Sequence, residues 1–101
     1  MPDLADVQNA VERMHNGTAT LVQSVSVRET GADGKVVWDG LIRVFEIGTP
    51  PSIRIYAGAL PVEGGQTRRI FALRHTDKVH SPVAAVRAAI AMEDRRKRPL
   101  F

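Results

Sequence analysis

The chain has 101 residues, of which 44% are hydrophobic and 25% charged, the balance of one soluble globular domain with a modest core. It has no cysteine, which excludes disulfides and thiolate nucleophiles, and no apolar run long enough to cross a membrane. The net charge is +3, but residues 1–50 hold four basic and seven acidic residues, whereas residues 51–101 hold ten and four. Because no secretory signal is recognisable either, we expect a single cytoplasmic domain over residues 1–101, without a membrane partner.

Residues 3–16 are predicted to form an amphipathic helix that Asp3 caps and Asn16-Gly17 ends. Its apolar residues recur at spacings of three and four and form one narrow stripe: Leu4, Val7, Val11 and Met14. Residues 18–29 alternate, as expected for a half-buried strand. The alternation places Leu21, Val25 and Val27 on one face, and the Asp33-Gly34 pair then predicts a hairpin turn.

Residues 35–47 are predicted to form the central strand, because bulky apolar residues occupy both of its faces. We expect its Trp38 to be buried, and Gly40 to mark a bulge. Strands over 52–60 and 67–76 follow, and Ser81-Pro82 caps a helix that runs to about residue 98. The fold class is therefore α+β, in the order α-β-β-β-β-α: a four-stranded antiparallel meander whose two helices cover one face.

The residue types that carry chemistry are sparse. His75, Asp77 and His80 could be imagined as metal ligands, but most of them lie in a polar connection, and isolated surface histidines are commoner. Ser81 before a proline is better explained as a helix cap than as a nucleophile. Residues 31–35 lack the length and the strand-to-helix setting of a phosphate loop. We therefore predict no catalytic residue, no metal and no cofactor, no evident small-molecule ligand, and no enzyme activity.

The string Trp38-Asp39-Gly40-Leu41-Ile42-Arg43-Val44-Phe45, followed by Tyr56-Ala57 and by a Ser81-Pro82 helix start, resembles a family of small uncharacterised bacterial proteins. In that pattern a tryptophan follows Tyr-Ala, whereas this chain has Gly58. The resemblance covers about residues 37–91 and implies no activity. The order of elements is also similar to the double-stranded-RNA-binding fold. That family has three strands and lysines at the start of its last helix, whereas this chain has four predicted strands and no base in that helix before Arg87.

Two hypotheses about function follow from these patterns. The first is a non-enzymatic interaction domain that forms a homodimer, through the α-helical stripe or through an open face of the sheet. That face would expose either Leu41, Phe45, Tyr56 and Leu60, or Trp38 and Ile42. The alternative is nucleic-acid binding by the basic C-terminal half. Its candidate contacts are Arg54, Tyr56, Arg69, Arg74, Arg95, Arg96, Lys97 and Arg98. For the last four, in the stretch EDRRKR, we favour the solvated end of a helix over a phosphate contact.

Overall fold

A computed structural model describes residues 4–49, 51–61 and 68–97 of the chain, and the side chains of 4–49, 51–60 and 69–95. The elements follow one another in the predicted order: α1 (Leu4–His15), β1 (Ala19–Thr30), β2 (Val36–Ile47), β3 (Ile53–Pro61), β4 (Arg68–Arg74) and α2 (Pro82–Lys97). The strands pair antiparallel in the order β1-β2-β3-β4. The predicted meander is thereby confirmed. No helix in the described part of the chain is long and apolar enough to cross a membrane.

Helix α1 ends, and helix α2 begins, at the residues from which the sequence analysis predicted these boundaries. Asn16 takes a left-handed conformation (φ 55°) directly after α1, and the Gly17 N–H donates to the Glu12 carbonyl at 3.3 Å. Gly17 is required for space, because a Cβ there would lie 2.6 Å from Cγ2 of Ile47. At the start of α2, the Ser81 hydroxyl accepts a hydrogen bond from the Ala84 N–H at 3.1 Å, as an N-cap does.

The β1–β2 hairpin contains two bulges, and neither lies at Gly40. Val22 is an extra, unpaired residue on β1, since Leu21 and Gln23 on either side of it pair with consecutive residues of β2. In the same way, Val37 is an extra residue on β2. Gly40 pairs regularly with Val27, so the predicted bulge there is wrong. A Cβ at Gly40 would lie 3.2 Å from the indole of Trp38, so the glycine instead provides space for that ring.

The two helices lie on opposite faces of the sheet, which corrects the expectation that both cover one face. Successive residues of a strand point to opposite faces, and the core separates accordingly into two clusters. The α2-side cluster contains Val27, Trp38, Ile42, Val44, Tyr56, Leu60, Phe71, Ala85, Val86 and Ala89. The α1-side cluster contains Val7, Val11, Ala19, Phe45, Ile47, Ile55 and Ala57. A central strand that is apolar on both faces is therefore buried within one chain.

The bulge at Val22 makes this arrangement possible for the first strand. Before the bulge, Leu21 packs with the α1-side cluster. After it, Val25 and Val27 pack on the α2 side, so the prediction that the three share a face is wrong for Leu21. The extra residue shifts the alternation by one position, which moves the following side chains to the other face.

Strands β2 and β3 pair only from Ile47–Ile53 to Arg43–Ala57, and beyond this point no pair joins them in the described residues. Trp38 bridges the two strands there. Its indole N–H donates to the Ala59 carbonyl at 3.0 Å, and its ring meets Phe71 edge-on with centroids 6.5 Å apart. The side chain is 6% exposed, which confirms the predicted burial of Trp38.

Candidate functional site

Two of the predicted nucleic-acid contacts are engaged in ion pairs within the chain. Arg54 donates to the Glu46 carboxylate at 3.3 Å, and Arg69 to the Glu93 carboxylate at 2.8 Å. The second pair is partly buried, so a phosphate would have to compete with a carboxylate that is already in place. A count of basic residues along the sequence therefore overstates the cationic charge that is free for a partner.

Tyr56 shares the α2-side face with Arg54, as the alternation predicted, but its ring is not an open stacking surface. The residue is 2% exposed and belongs to the core beneath α2. Its hydroxyl hydrogen-bonds Nδ1 of His75 at 2.8 Å, and the two rings are tilted with centroids 5.9 Å apart. The buried ring gives no support to the prediction that Tyr56 stacks on a base, because stacking needs an accessible ring face.

The remaining predicted basic contacts are only partly described. Arg74 and Arg95 are exposed, and neither has an ion-pair partner in the described part of the chain. The side chains of Arg96 and Lys97, and all of Arg98, lie outside the described residues. The helix does continue to Lys97, so most of the stretch EDRRKR is helical.

The three-residue histidine and aspartate pattern does not form a cluster. Among the described residues, no group of three or more His, Cys, Asp or Glu side chains is placed to hold a metal ion. His75 is held by Tyr56, while Arg54, Arg74 and His75 line one groove at the end of the sheet. The groove thus brings together two predicted nucleic-acid contacts, Arg54 and Arg74, and a histidine that was weighed as a metal ligand, His75.

The backbone of β1 is covered at its start by side chains of α1. The Gln8 amide donates to the Ala19 carbonyl at 2.8 Å, and the Ala19 N–H donates to the Glu12 carboxylate at 2.8 Å. Because these groups bond to α1, they point away from β2 and towards the outer edge of the sheet. At this point the edge is closed by the protein itself.

Beyond the bulge, the outer edge of β1 is open in the described structure. The Gly31 N–H donates to the Lys35 carbonyl, so Gly31 bonds inward to the neighbouring strand. Alternation back along β1 then directs the N–H and C=O groups of Ser24, Ser26 and Arg28 outward, where no described strand pairs with them. The side chains of these residues are exposed.

The opposite edge is protected, as edges of monomeric sheets usually are. Strand β4 has seven residues, three of which are arginines. The side chain of His15 contacts the Ala72 carbonyl through Nε2 at 3.1 Å, which occupies a backbone group of this strand. By contrast, the stretch from Ala19 to Val27 of β1 has neither a charged residue nor a proline. The sequence analysis missed this edge, although the absence of charge in a strand of this length was visible.

Two large apolar side chains are exposed near the open edge: Val22 of β1 itself, which is 46% exposed, and Leu41 of the neighbouring strand β2. Leu41 lies opposite Ser26 on the α1 side of the sheet and is 45% exposed. The other candidates for an exposed apolar face, Phe45, Tyr56, Leu60, Trp38 and Ile42, are all buried. The surface that is left open for a partner is therefore mainly the backbone edge of β1.

Comparisons with protein-family models, with curated proteins and with solved structures found no match for the chain.

Proposed function

We propose that the protein is a non-enzymatic interaction domain that self-associates, with β1 of one copy paired antiparallel to β1 of a second copy. The single observation that supports this proposal is the open edge of β1, in contrast to the protected edge of β4. Pairing would join two four-stranded sheets into one continuous sheet of eight strands. It would also satisfy the outward backbone groups of Ser24, Ser26 and Arg28.

A second copy suits this edge because a two-fold axis places the β1 segment of one copy against the same segment of the other. Pairing centred on Val25 places Ser24 of one copy opposite Ser26 of the other, so that small uncharged side chains meet. In this register Arg28 lies opposite Val22 of the second copy, and no like charges oppose each other. Arg28 is also held by Asp39 at 3.2 Å, one strand further in.

The stripe of α1 is not a competing interface. Val7 and Val11 are 6% and 0% exposed because they pack on the sheet, and only Met14, at 54%, remains open. One exposed methionine does not form an apolar seam, whereas a two-helix interface needs several contiguous residues. The part of the homodimer hypothesis that relied on this stripe is therefore withdrawn.

The proposal is tested by placing lysines on the open edge. The double variant Ser24→Lys with Ser26→Lys would oppose like charges across the interface, at positions whose side chains are exposed. Because Ser24→Lys also removes the hydrogen bond from Arg43 at 3.1 Å, a thermal melt must show that the variant is folded. Light scattering at tens of micromolar should show a dimer for the native chain and a monomer for this variant. The matched control is Ala91→Lys with Met92→Lys, which adds the same charge to exposed positions of α2 and should remain dimeric. A monomeric native chain would refute the proposal.

Amide hydrogen exchange gives an independent readout at the level of single residues. Val25 and Val27 bond inward to β2 and should be protected at every protein concentration. Ser24 and Ser26 point outward, so their amides should be protected at high concentration and should exchange rapidly after dilution. Rapid exchange of both serines at a concentration where a dimer is present would place the interface elsewhere and contradict the β1 pairing.

Nucleic-acid binding by the C-terminal half is the alternative, and its remaining support is the exposed Arg74 and the cation-rich end of α2 with Arg95. The variant that replaces residues 95–98 with glutamine should leave the fold and the oligomeric state intact. If this variant also abolished binding to mixed oligonucleotides with a steep salt slope, the basic cluster would be a phosphate contact. Weak binding to heparin, equal in the native chain and the variant, would argue against the alternative.

A further inference from the structure

A shallow groove at one end of the sheet collects several polar side chains. It lies where β2 ends, β3 begins and β4 ends, and its volume is about 310 Å³. Its lining residues are Glu46, Ser52, Ile53, Arg54, Arg74 and His75. This volume is at the lower end of the range for small-molecule sites, which run from about 300 to 1,000 Å³. No residue of β1 lines the groove, so it is separate from the open edge.

The groove has an excess of cationic groups. Arg74 has no carboxylate partner in the described part of the chain, and it is exposed at the end of β4. Arg54 contacts Glu46 at 3.3 Å, a long ion pair at a half-exposed arginine. Because a single carboxylate stands against two guanidinium groups, the lining carries a net positive charge and offers unused N–H donors.

His75 is fixed in orientation at the side of this groove. Its backbone N–H donates to the Arg54 carbonyl at 2.8 Å, which ties the end of β4 to β3. Its Nδ1 is engaged by the Tyr56 hydroxyl at 2.8 Å. Where that hydroxyl donates to Nδ1, the proton of the neutral ring lies on Nε2, which then has a donor free for a ligand. The buried tyrosine thus positions the imidazole.

We propose that this groove binds a phosphate monoester carried by a small molecule. A guanidinium group matches two oxygens of a phosphate at once. Arg54 reaches the groove from the α2 side of the sheet, and Arg74, which pairs with Ile55, reaches it from the α1 side, so that each would bind a different edge of the phosphate at the end of the sheet. The Ser52 hydroxyl and the His75 ring supply further hydrogen bonds. The groove has space for the phosphate and a small attached group, but it is too small for a long polymer to lie within it.

Two substitutions in the groove should change its affinity for phosphate in opposite directions. The Glu46 carboxylate competes with the ligand for Arg54, so Glu46→Gln should tighten the binding of phosphate several-fold, since it removes a repelling charge. Arg74→Gln removes a donor that has no other role and should weaken binding about tenfold, the effect of one charge-assisted hydrogen bond. Lys35→Gln, at the far hairpin turn, is the control for net charge and should leave affinity unchanged.

The probes are inorganic phosphate and ribose 5-phosphate, titrated at constant ionic strength and followed by amide chemical shifts, with ribose as the uncharged control. We expect saturable shifts confined to 46, 52–54 and 74–75 for both phosphates, and none for ribose. Binding of inorganic phosphate without ribose 5-phosphate would overturn the monoester assignment. Equal loss of affinity in Arg74→Gln and Lys35→Gln would show non-specific attraction, and would overturn the site itself. Thermal melts of each variant establish that the fold is retained.

Discussion

Replacement of Trp38 by alanine should be among the most damaging single changes in the α2-side core. The side chain is 6% exposed, and its ring fills the space between the diverging strands β2 and β3. The change removes the edge contact with Phe71 and leaves a cavity above Gly40. It also leaves the Ala59 carbonyl without the indole N–H that it accepts.

The expected loss follows from these contacts. Truncation of a buried tryptophan to alanine costs about 3–5 kcal/mol. Loss of the partner of the Ala59 carbonyl adds about 1 kcal/mol where water reaches the site, and more where it does not. A domain of this size has a total free energy of unfolding of about 5–15 kcal/mol, so the variant should be marginally folded. Trp38→Phe keeps an aromatic ring beside Phe71 and should lose about 1.5–3 kcal/mol.

Urea unfolding followed by far-ultraviolet circular dichroism measures both variants, because the only tryptophan of the chain is the one removed. The native chain should also show the blue-shifted fluorescence of an indole that is shielded from water. A loss of less than about 1 kcal/mol in Trp38→Ala, with an unchanged denaturant slope, would refute the view that this residue holds the two strands together. Equal losses in both variants would show that the hydrogen bond matters more than the ring volume.

Two further predictions concern packing and register. Gly58→Ala should destabilise the fold by about 1–3 kcal/mol in urea unfolding, because the new Cβ would lie 2.8 Å from Phe71 and 2.9 Å from Ile42. The cost should fall in a Phe71→Leu background, and an unchanged cost would contradict the proposed clash. Deletion of Val22 should leave every other β1 side chain on its present face, so circular dichroism should show a folded protein. Deletion of Ser26 must move either Val25 or Val27 to the other face and should unfold the chain, and equal behaviour of the two deletions would refute this account of the bulge.

Much of the fold could be predicted from the sequence because local residue preferences decide it. Asn16 and Ser81 end and begin helices through their own backbone and side-chain bonds, and neither depends on distant residues. The turn at Gly34, with φ 81°, likewise needs only a residue that tolerates a positive dihedral angle. Hairpin connections between successive strands then lead to a meander.

The contribution of β1 to both faces of the sheet could not be predicted, because it depends on an extra residue at Val22 that has no compositional mark. Valine is an ordinary strand residue, whereas the glycine at which a bulge was expected, Gly40, serves to accommodate a ring. The ion pairs of the basic residues could not be predicted for a different reason. Arg69 and Glu93 are 24 residues apart in sequence, so a count of charges along the chain does not show that they neutralise each other.

The opposite placement of the helices also changes the physical basis for self-association. A sheet covered on one face would have left apolar side chains exposed, and dimerisation would then have been driven by their burial. Since Phe45 and Ile42 are both fully buried within one chain, the apolar groups left near β1 are single exposed side chains, such as Val22 and Leu41, rather than a core face of the sheet. The main feature that remains on β1 is a row of backbone donors and acceptors. When they pair with a second strand, hydrogen bonds to water are replaced by hydrogen bonds to protein, so each bond contributes little net free energy. A β1–β1 dimer should therefore be specific in register but modest in affinity, and it should dissociate on dilution without unfolding of either copy.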